Sequence, residues 1–268
     1  MNNLHRELAP ISNAAWEQIE EETKRTVKGY LAGRRVVDVP APGGIALPGV
    51  ATGHLAPIAP PAEGVTANQH EIKPLVELRV PFELSRQAID DVDRGAKDSN
   101  WQPAKDAART LAFAEDRAIF DGYQAANIQG IRQGTSNPIK TLPKDIRDYP
   151  DTIAEALNQL RLVGVNGPYS VLLGAAEYTK LAETRDHGYP VLEHVKRIID
   201  GNIVLAPAFS GAFVLSTRGG DFELTIGQDV SIGYLSHTDV TVRLYLQESF
   251  TFQVLTSEAS VALSPSPN

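Results

Sequence analysis

The chain has 268 residues, 42% of them hydrophobic and 22% charged, a balance that excludes a disordered chain and supplies a core for one large domain or two small ones. A formal net charge of -8 leaves no basic footprint for wrapping nucleic acid. The absence of cysteine removes disulfides, thiolate nucleophiles and Cys-based metal sites, and no apolar run nears the ~20 residues that span a bilayer. With no apolar leader core after the polar stretch Met1 to Glu7, the expectation is a soluble cytoplasmic protein.

The first element is a helix. Ser12 or Asn13 can cap it, and Trp16, Ile19, Thr23, Val27, Tyr30 and Leu31 recur at helical steps. Glutamates 17 and 20–22 precede Lys24, Arg25 and Lys28, which suits the helix dipole, and Gly33 is the expected stop. The β-branched run 34–39 reads as a first strand closed by Pro40. Residues 40–74 are dense in proline and glycine, which rules out a helix or central strand. Yet Ile45, Leu47, Val50, Leu55, Ile58, Val65 and Ile72 are scattered through them. We expect a two-stranded arm or long loop that packs outside its own domain, with a disordered linker as the alternative.

A strand follows, with Val76, Leu78, Val80, Phe82 and Leu84 alternating with polar residues; Pro81 marks an edge or a bulge. Ser85 caps a short helix that Gly95 ends. Pro103 to Tyr123 predicts a long helix with a small-residue face of Ala104, Ala107, Ala108, Leu111, Ala114, Ala118 and Ile119. Beyond it we expect helices near 151–163 and 175–184 and strands at 169–173, 203–205, 212–217, 222–226, 241–246 and 250–256. Arg218-Gly219-Gly220-Asp221 reads as a hairpin turn, because paired glycines supply positive φ.

Signatures of zinc hydrolases, serine hydrolases, phosphate-binding loops, dinucleotide folds and EF-hands are missing. His187 and His194 flank Gly188-Tyr189-Pro190 at a spacing that does not make a compact metal pair. Ser236, His237 and Asp239 are nearly contiguous, whereas triad members converge from separate segments. No enzyme is expected.

Several segments together resemble a known family. MNNLHRELAPIS, AAWEQIEEE, AGRRVVDVPAPGG, ELRVPFELS, IDDVDRGAKDS, LAFAEDRAIFDGY, GVNGPYSVLL, DHGYPVLEHV, STRGGDFELTIGQDVSIGYLSH and LYLQESFTFQVLT are similar, in order and spacing, to encapsulin shell proteins, the linocin-like bacteriocin family. The resemblance runs from about Asn3 to Leu263. It implies an α+β fold, that of tailed-phage (Hong Kong 97-like) major capsid proteins, and a non-enzymatic subunit of an icosahedral nanocompartment. The implied organisation is an N-terminal helix and first strand of the peripheral domain (1–39), an extended loop (40–74), the rest of the peripheral domain with its spine helix (75–134), an axial domain (135–220), return strands (221–263) and a flexible tail (264–268).

The resemblance also implies a homo-oligomer, most simply sixty copies, with neither nucleic acid nor membrane as partner. The cargo enzyme is a dye-decolourising peroxidase or a ferritin-like iron-storage protein whose C-terminal peptide docks on the inner face. The opening and tail resemble actinobacterial members, where the peroxidase is the usual guest. The positions that match the dock are Arg34, Val36, Asp38, Asp229, Val230, Ile232 and Tyr234. Asp186, His187, Gly188 and Tyr189 match the tip that rings the fivefold pore. Some relatives stack a flavin on a tryptophan; Gln87 stands there in this chain and offers no π face, so no flavin is expected, and haem or iron belongs to the cargo. A viral or prophage capsid protein is the alternative, and a bacteriocin or protease a more distant one.

Overall fold

The computed structural model describes residues 3–266. Helix α1, Asn13–Tyr30, begins where the Ser12 side chain accepts a hydrogen bond from the Ala15 N–H, and its buried stripe is Ala15, Trp16, Ile19, Thr23 and Val27. It ends before Gly33, which opens a 3-10 turn, Gly33–Arg35, instead of stopping the helix. The expected strand over 34–39 is that turn followed by a single bridge from Asp38 to Glu223. Short-range β propensity loses here because the buried Asp116 carboxylate takes the backbone N–H groups of Ala32 and Gly33, which curls the chain.

The Pro/Gly-rich region is a two-stranded arm. Strands β1 (Gly49–Ile58) and β2 (Ala67–Pro74) pair antiparallel, with a register shift between Ala51 and Leu55. Leu75 then leads into β3 (Val76–Ser85), whose only partner among the described strands is β12 (Thr241–Val254), so Pro81 sits on an edge strand as its missing N–H requires. Ser85 caps α2 (Arg86–Asp93) by accepting from the Ala88 N–H. Helix α3, Gln102–Phe120, is the spine. Its buried face includes Ala112, Glu115 and Asp116, while Ala114 is only half-buried.

The rest is built from α4 (Ile131–Gly134), β4 (Lys140–Thr141), α5 (Tyr149–Leu162), β5 (Tyr169–Leu173), α6 (Ala175–Glu183), the small hairpin β6 (Arg185–Asp186) and β7 (Tyr189–Pro190), α7 (Val191–Ile198), β8 (Ile203–Leu205), β9 (Ala212–Ser216), β10 (Phe222–Ile226), β11 (Ser231–His237), β12 and β13 (Ser260–Ser264). Two sheets carry it. In one, β3, β10 and β11 all pair antiparallel with β12. In the other, the strand order is β4-β13-β9-β5-β8.

The buried side chains form two cores. Around β3, β11 and β12 lie Trp16, Ile19, Ile89, Leu111, Leu244 and Leu246. Around β5, β9 and β13 lie Phe120, Ile153, Leu172, Phe213 and Val261. The first sheet contributes to both: Phe222 and Leu224 of β10 and Phe250 and Phe252 of β12 belong to the second. The first part of α3 belongs to one core and Ala118, Ile119 and Phe120 to the other, so one helix joins both.

Three further sequence expectations change. The 218–221 turn has its positive φ values, 88° at Gly219 and 79° at Gly220, but β9 and β10 enter different sheets, so it is a crossover between layers and not a hairpin. The strands expected at 241–246 and 250–256 are one continuous strand, because β12 is the common partner of three others. Ser264, expected in the tail, closes β13 and its carbonyl accepts from the Leu142 N–H; Pro267 and Asn268 lie outside the described residues.

Candidate functional site

A groove of about 740 Å³ runs between α1 and the start of β11. One wall is the α1 face that carries Thr23, Val27 and Leu31, with Lys24 and Lys28 at its lip. The other is Asp229, Val230, Ser231 and Ile232. Leu4 and Arg6 close one end, where the Leu4 carbonyl accepts from the Tyr234 N–H, and Arg34 and Arg35 close the other. Arg6 is itself fixed, stacked 4.1 Å over the Trp16 ring and paired with Glu20. The trough is apolar along its length and charged at its edges.

Arg34 is held by three carboxylates. Its Nε lies 2.9 Å from Glu115 Oε1, one Nη donates to Glu115 Oε2 at 2.5 Å and reaches Glu248 Oε2 at 3.3 Å, and the other donates to Asp229 Oδ1 at 2.7 Å. Burial works against this charge, but the hydrogen bond and field of Glu115, joined by Asp229, outweigh it and raise the guanidinium's pKa. Burial, reinforced by Glu115, pushes the Glu248 carboxyl well above the usual carboxylate range. The Asp116 carboxyl is pushed up to about 7, chiefly by burial, with the Ala32 and Gly33 N–H bonds pulling the other way. Gly33 lets the chain pass close to α3: a Cβ there would sit 2.5 Å from Ile119 Cδ1, so a side chain would force that buried methyl to move.

The residues expected at the dock do not all meet. Arg34, Asp229, Val230 and Ile232 line the groove. Val36 is buried in the second core and does not line this groove; it borders the small pocket that Asp38 faces. Asp38 faces a separate small pocket beside the 216–222 crossover, where its carboxylate accepts from the Gly220 N–H at 2.5 Å. Arg34 pairs with Asp229 and not with Asp38. Tyr234 lies just beyond the groove on β11, its hydroxyl 2.6 Å from His237 Nδ1.

Sequence reading did not find Leu4, Thr23, Lys24, Val27, Lys28 and Leu31 as groove residues. The helical period placed Thr23, Val27 and Leu31 on the apolar face of α1 but does not say that part of that face stays open. Glu115, in the charged run Glu115-Asp116-Arg117, and Glu248 gave no local signal that ties either to Arg34.

Asp186, His187, Gly188 and Tyr189 form the tight turn of the β6–β7 hairpin, with φ 45° at His187 and 86° at Gly188. The His187 side chain is 96% exposed, and Tyr189 is pinned between the His194 ring and the Arg197 guanidinium. Gln87 is exposed on α2. No described helix is long and apolar enough to cross a membrane.

Residues 1–251 match the family described as "Encapsulating protein for peroxidase". The chain belongs to the encapsulin shell protein family. It is 61% identical over 264 residues, 98% of this chain and 100% of the relative, to the type 1 encapsulin shell proteins of Rhodococcus erythropolis and of Mycobacterium tuberculosis. The corresponding protein of Brevibacterium linens is 55% identical over 98% of this chain and 100% of its own. The fold is that of capsid proteins. A virus-like particle from Pyrococcus furiosus superposes with a TM-score of 0.67 at 16% identity, covering 92% of this chain and 98% of that one. The Gordonia phage Cozz protein superposes with a TM-score of 0.56 at 14% identity, over 89% and 87%. The α+β, capsid-type architecture expected from the sequence is therefore present, and this family of shell proteins forms capsid-like assemblies of many copies.

Proposed function

We propose that sixty copies of this chain, the number set by the smallest icosahedral symmetry, close into a cytoplasmic nanocompartment. Each groove between α1 and β11 takes the C-terminal peptide of an enclosed enzyme. The open apolar groove carries this reading. An extended peptide presents alternate side chains to one wall, and Val27, Leu31, Val230 and Ile232 offer seats for Leu or Ile anchors. Asp229, half-exposed and already turned toward Arg34, offers its free oxygen to a polar group of the guest. Asp38 and Tyr234, which flank the groove, extend the contact surface if the peptide runs past either end.

The arm supports the shell. Its Leu55, Ile58 and Ile72 are about half exposed or more, and a neighbouring copy would bury them. The guest is a dye-decolourising peroxidase or a ferritin-like protein, and membership of a family of encapsulating proteins for peroxidase favours the peroxidase. The exposed His187 turn, repeated around a fivefold axis, would line an opening for small substrates. The shell takes no flavin at Gln87.

The test is co-expression of the full chain with its genomic neighbour, followed by electron microscopy. Shells filled with the neighbour are expected, and Val230→Asp should give intact but empty shells. A guest found outside the particles, or loaded equally by Val230→Asp, overturns the docking role. Adding flavin to wild-type shells should leave no stoichiometric bound flavin after desalting.

A further inference from the structure

We infer that the arm meets a second copy of this chain through the face that carries Leu55, His70 and Ile72, and that His70 makes this contact acid-sensitive. The inference rests on the covering of the arm by a neighbour proposed above, and adds which side is covered and what loosens it. The register sorts the ribbon into two sides. Leu55 stands opposite His70 and Ala51 opposite Ile72, and successive residues of a strand point to opposite faces. Ala51, Leu55, Pro57, His70 and Ile72 therefore share one side, while Val50 and Ile58 share the other with Gln69, Glu71 and Lys73.

The two sides differ in charge. The first has no permanently charged side chain, and among the described residues His70 is its single titratable group. The second carries Glu71 and Lys73, whose ionised ends must keep their water or find partners in any contact. Leu55 and Ile72 are also more open than Ile58, at 53% and 61% against 49%. A side with this much open apolar surface and no fixed charge is the one that a partner covers at least cost. A second copy is the partner because the family's members are shell proteins, built from repeats of one chain.

Covering that side encloses the His70 ring, which is exposed on the single chain. Imidazole changes charge between about pH 5 and 8, and burial disfavours its charged form. A neutral ring packs beside Leu55 and Ile72, whereas a protonated ring would lose its hydration at the seam. Assembly must then shed a proton once pH is below about 6.5, the ordinary imidazole midpoint, so the seam weakens as pH falls. The arm does not supply an anion to offset this. Glu71 and Lys73 border the same hollow of about 500 Å³ as His70, but they belong to the other side and offset each other. The one residue of that hollow from outside the arm, Asn127, is uncharged. His54 directly precedes Leu55 on β1 and so points away from His70. In the body, the raised Asp116 and Glu248 carboxyls act with the opposite sign and strengthen the folded subunit as pH falls.

The test follows release of subunits from purified full-chain shells by light scattering, in guanidinium chloride too dilute to unfold the subunit. Between about pH 7.5 and about pH 5.5 the wild-type release rate should rise about tenfold, the size expected one pH unit below the imidazole midpoint. In His70→Gln and in His70→Leu the rise should shrink to less than about twofold, while His54→Gln should keep it. Gln69→Asp should still assemble and His70→Asp should not, because they charge opposite sides of one strand.

A wild-type rate that ignores pH overturns the acid sensitivity without any substitution. So does a rise that vanishes in His54→Gln or persists in both neutral His70 variants. Failure of both neutral variants to assemble overturns it too, since neutrality is all the site is asked to supply. If His70→Asp prevents particles while wild-type release ignores pH, the arm contact stands and the switch falls. If Gln69→Asp prevents particles, the assignment of sides falls. If both aspartate variants leave particles intact, the arm is not covered by a neighbour, and this inference fails with the reading it rests on.

Discussion

The arm and the strand that follows it are built alike and end differently. In β1 and β2 apolar residues are interleaved with polar ones, and so they are in β3; only Leu75 separates β2 from β3. Yet Leu55 and Ile72 stay open to solvent, at 53% and 61%, while Leu84 of β3 is 1% exposed. The difference lies in what is opposite. β3 lies along β12 and over the first core, with Leu84 opposite Val242 and Phe82 opposite Leu244. The arm has only its own second strand, and a two-stranded ribbon has no third layer to cover it. Alternation in a sequence states which residues want cover, and it is silent on whether the cover is in the same chain.

The sharpest way to break this comparison is to charge the arm. Leu55→Asp with Ile72→Asp should abolish particles, leaving small species in the ultracentrifuge. The thermal unfolding of those subunits should shift by less than that of any core variant, since both side chains are exposed in the isolated subunit. In the ladder, Leu244→Ala should cost about 2–5 kcal/mol of subunit stability in a denaturant melt. If the arm substitutions unfold the subunit, or leave the particles intact, the arm is not an inter-subunit element.

A smaller effect belongs to the body alone. The Asp116 carboxyl, pushed up to about 7 from an ordinary 3.8, binds a proton more tightly folded than unfolded. Its contribution is fully present below about pH 4 and is lost as pH rises through about 7, so subunit stability should fall with pH across that window. Burial of Glu248 acts in the same direction. Asp116→Asn should flatten the slope, in arm-charged subunits as well as in shells. A stability that climbs over that interval, or a slope that Asp116→Asn leaves unchanged, contradicts the assignment.

The smallest change expected is at the caps. Ser12→Ala and Ser85→Ala each remove a side-chain acceptor from a helix start and should cost about 1 kcal/mol in a melt, with assembly unaffected.

The elements legible from the sequence are those fixed by local chemistry. The α1 cap, the strand 169–173, the edge strand with Pro81 and the arm's two strands follow from capping residues, period and proline placement. What sequence could not supply was pairing across distance. Nothing near Gly219 and Gly220 says that the strands on either side join different sheets, and nothing near residue 34 says that a carboxylate at 116 bends the chain there. The same limit applies to the groove. Its apolar residues were visible one by one, but the charge network behind Arg34 comes from 115, 229 and 248, positions brought together only by the fold.

The attachment of the arm has a mechanical consequence. β3 is registered with β12 from Val76 opposite Phe250 to Ser85 opposite Thr241, and the arm joins at the Val76 end. Tension on the arm, as when a swelling container stretches its seams, is thus directed along the axis of β3. Its hydrogen bonds lie across that axis and share the force together, as the threads of a lap joint do, whereas a peeling load would break them one at a time.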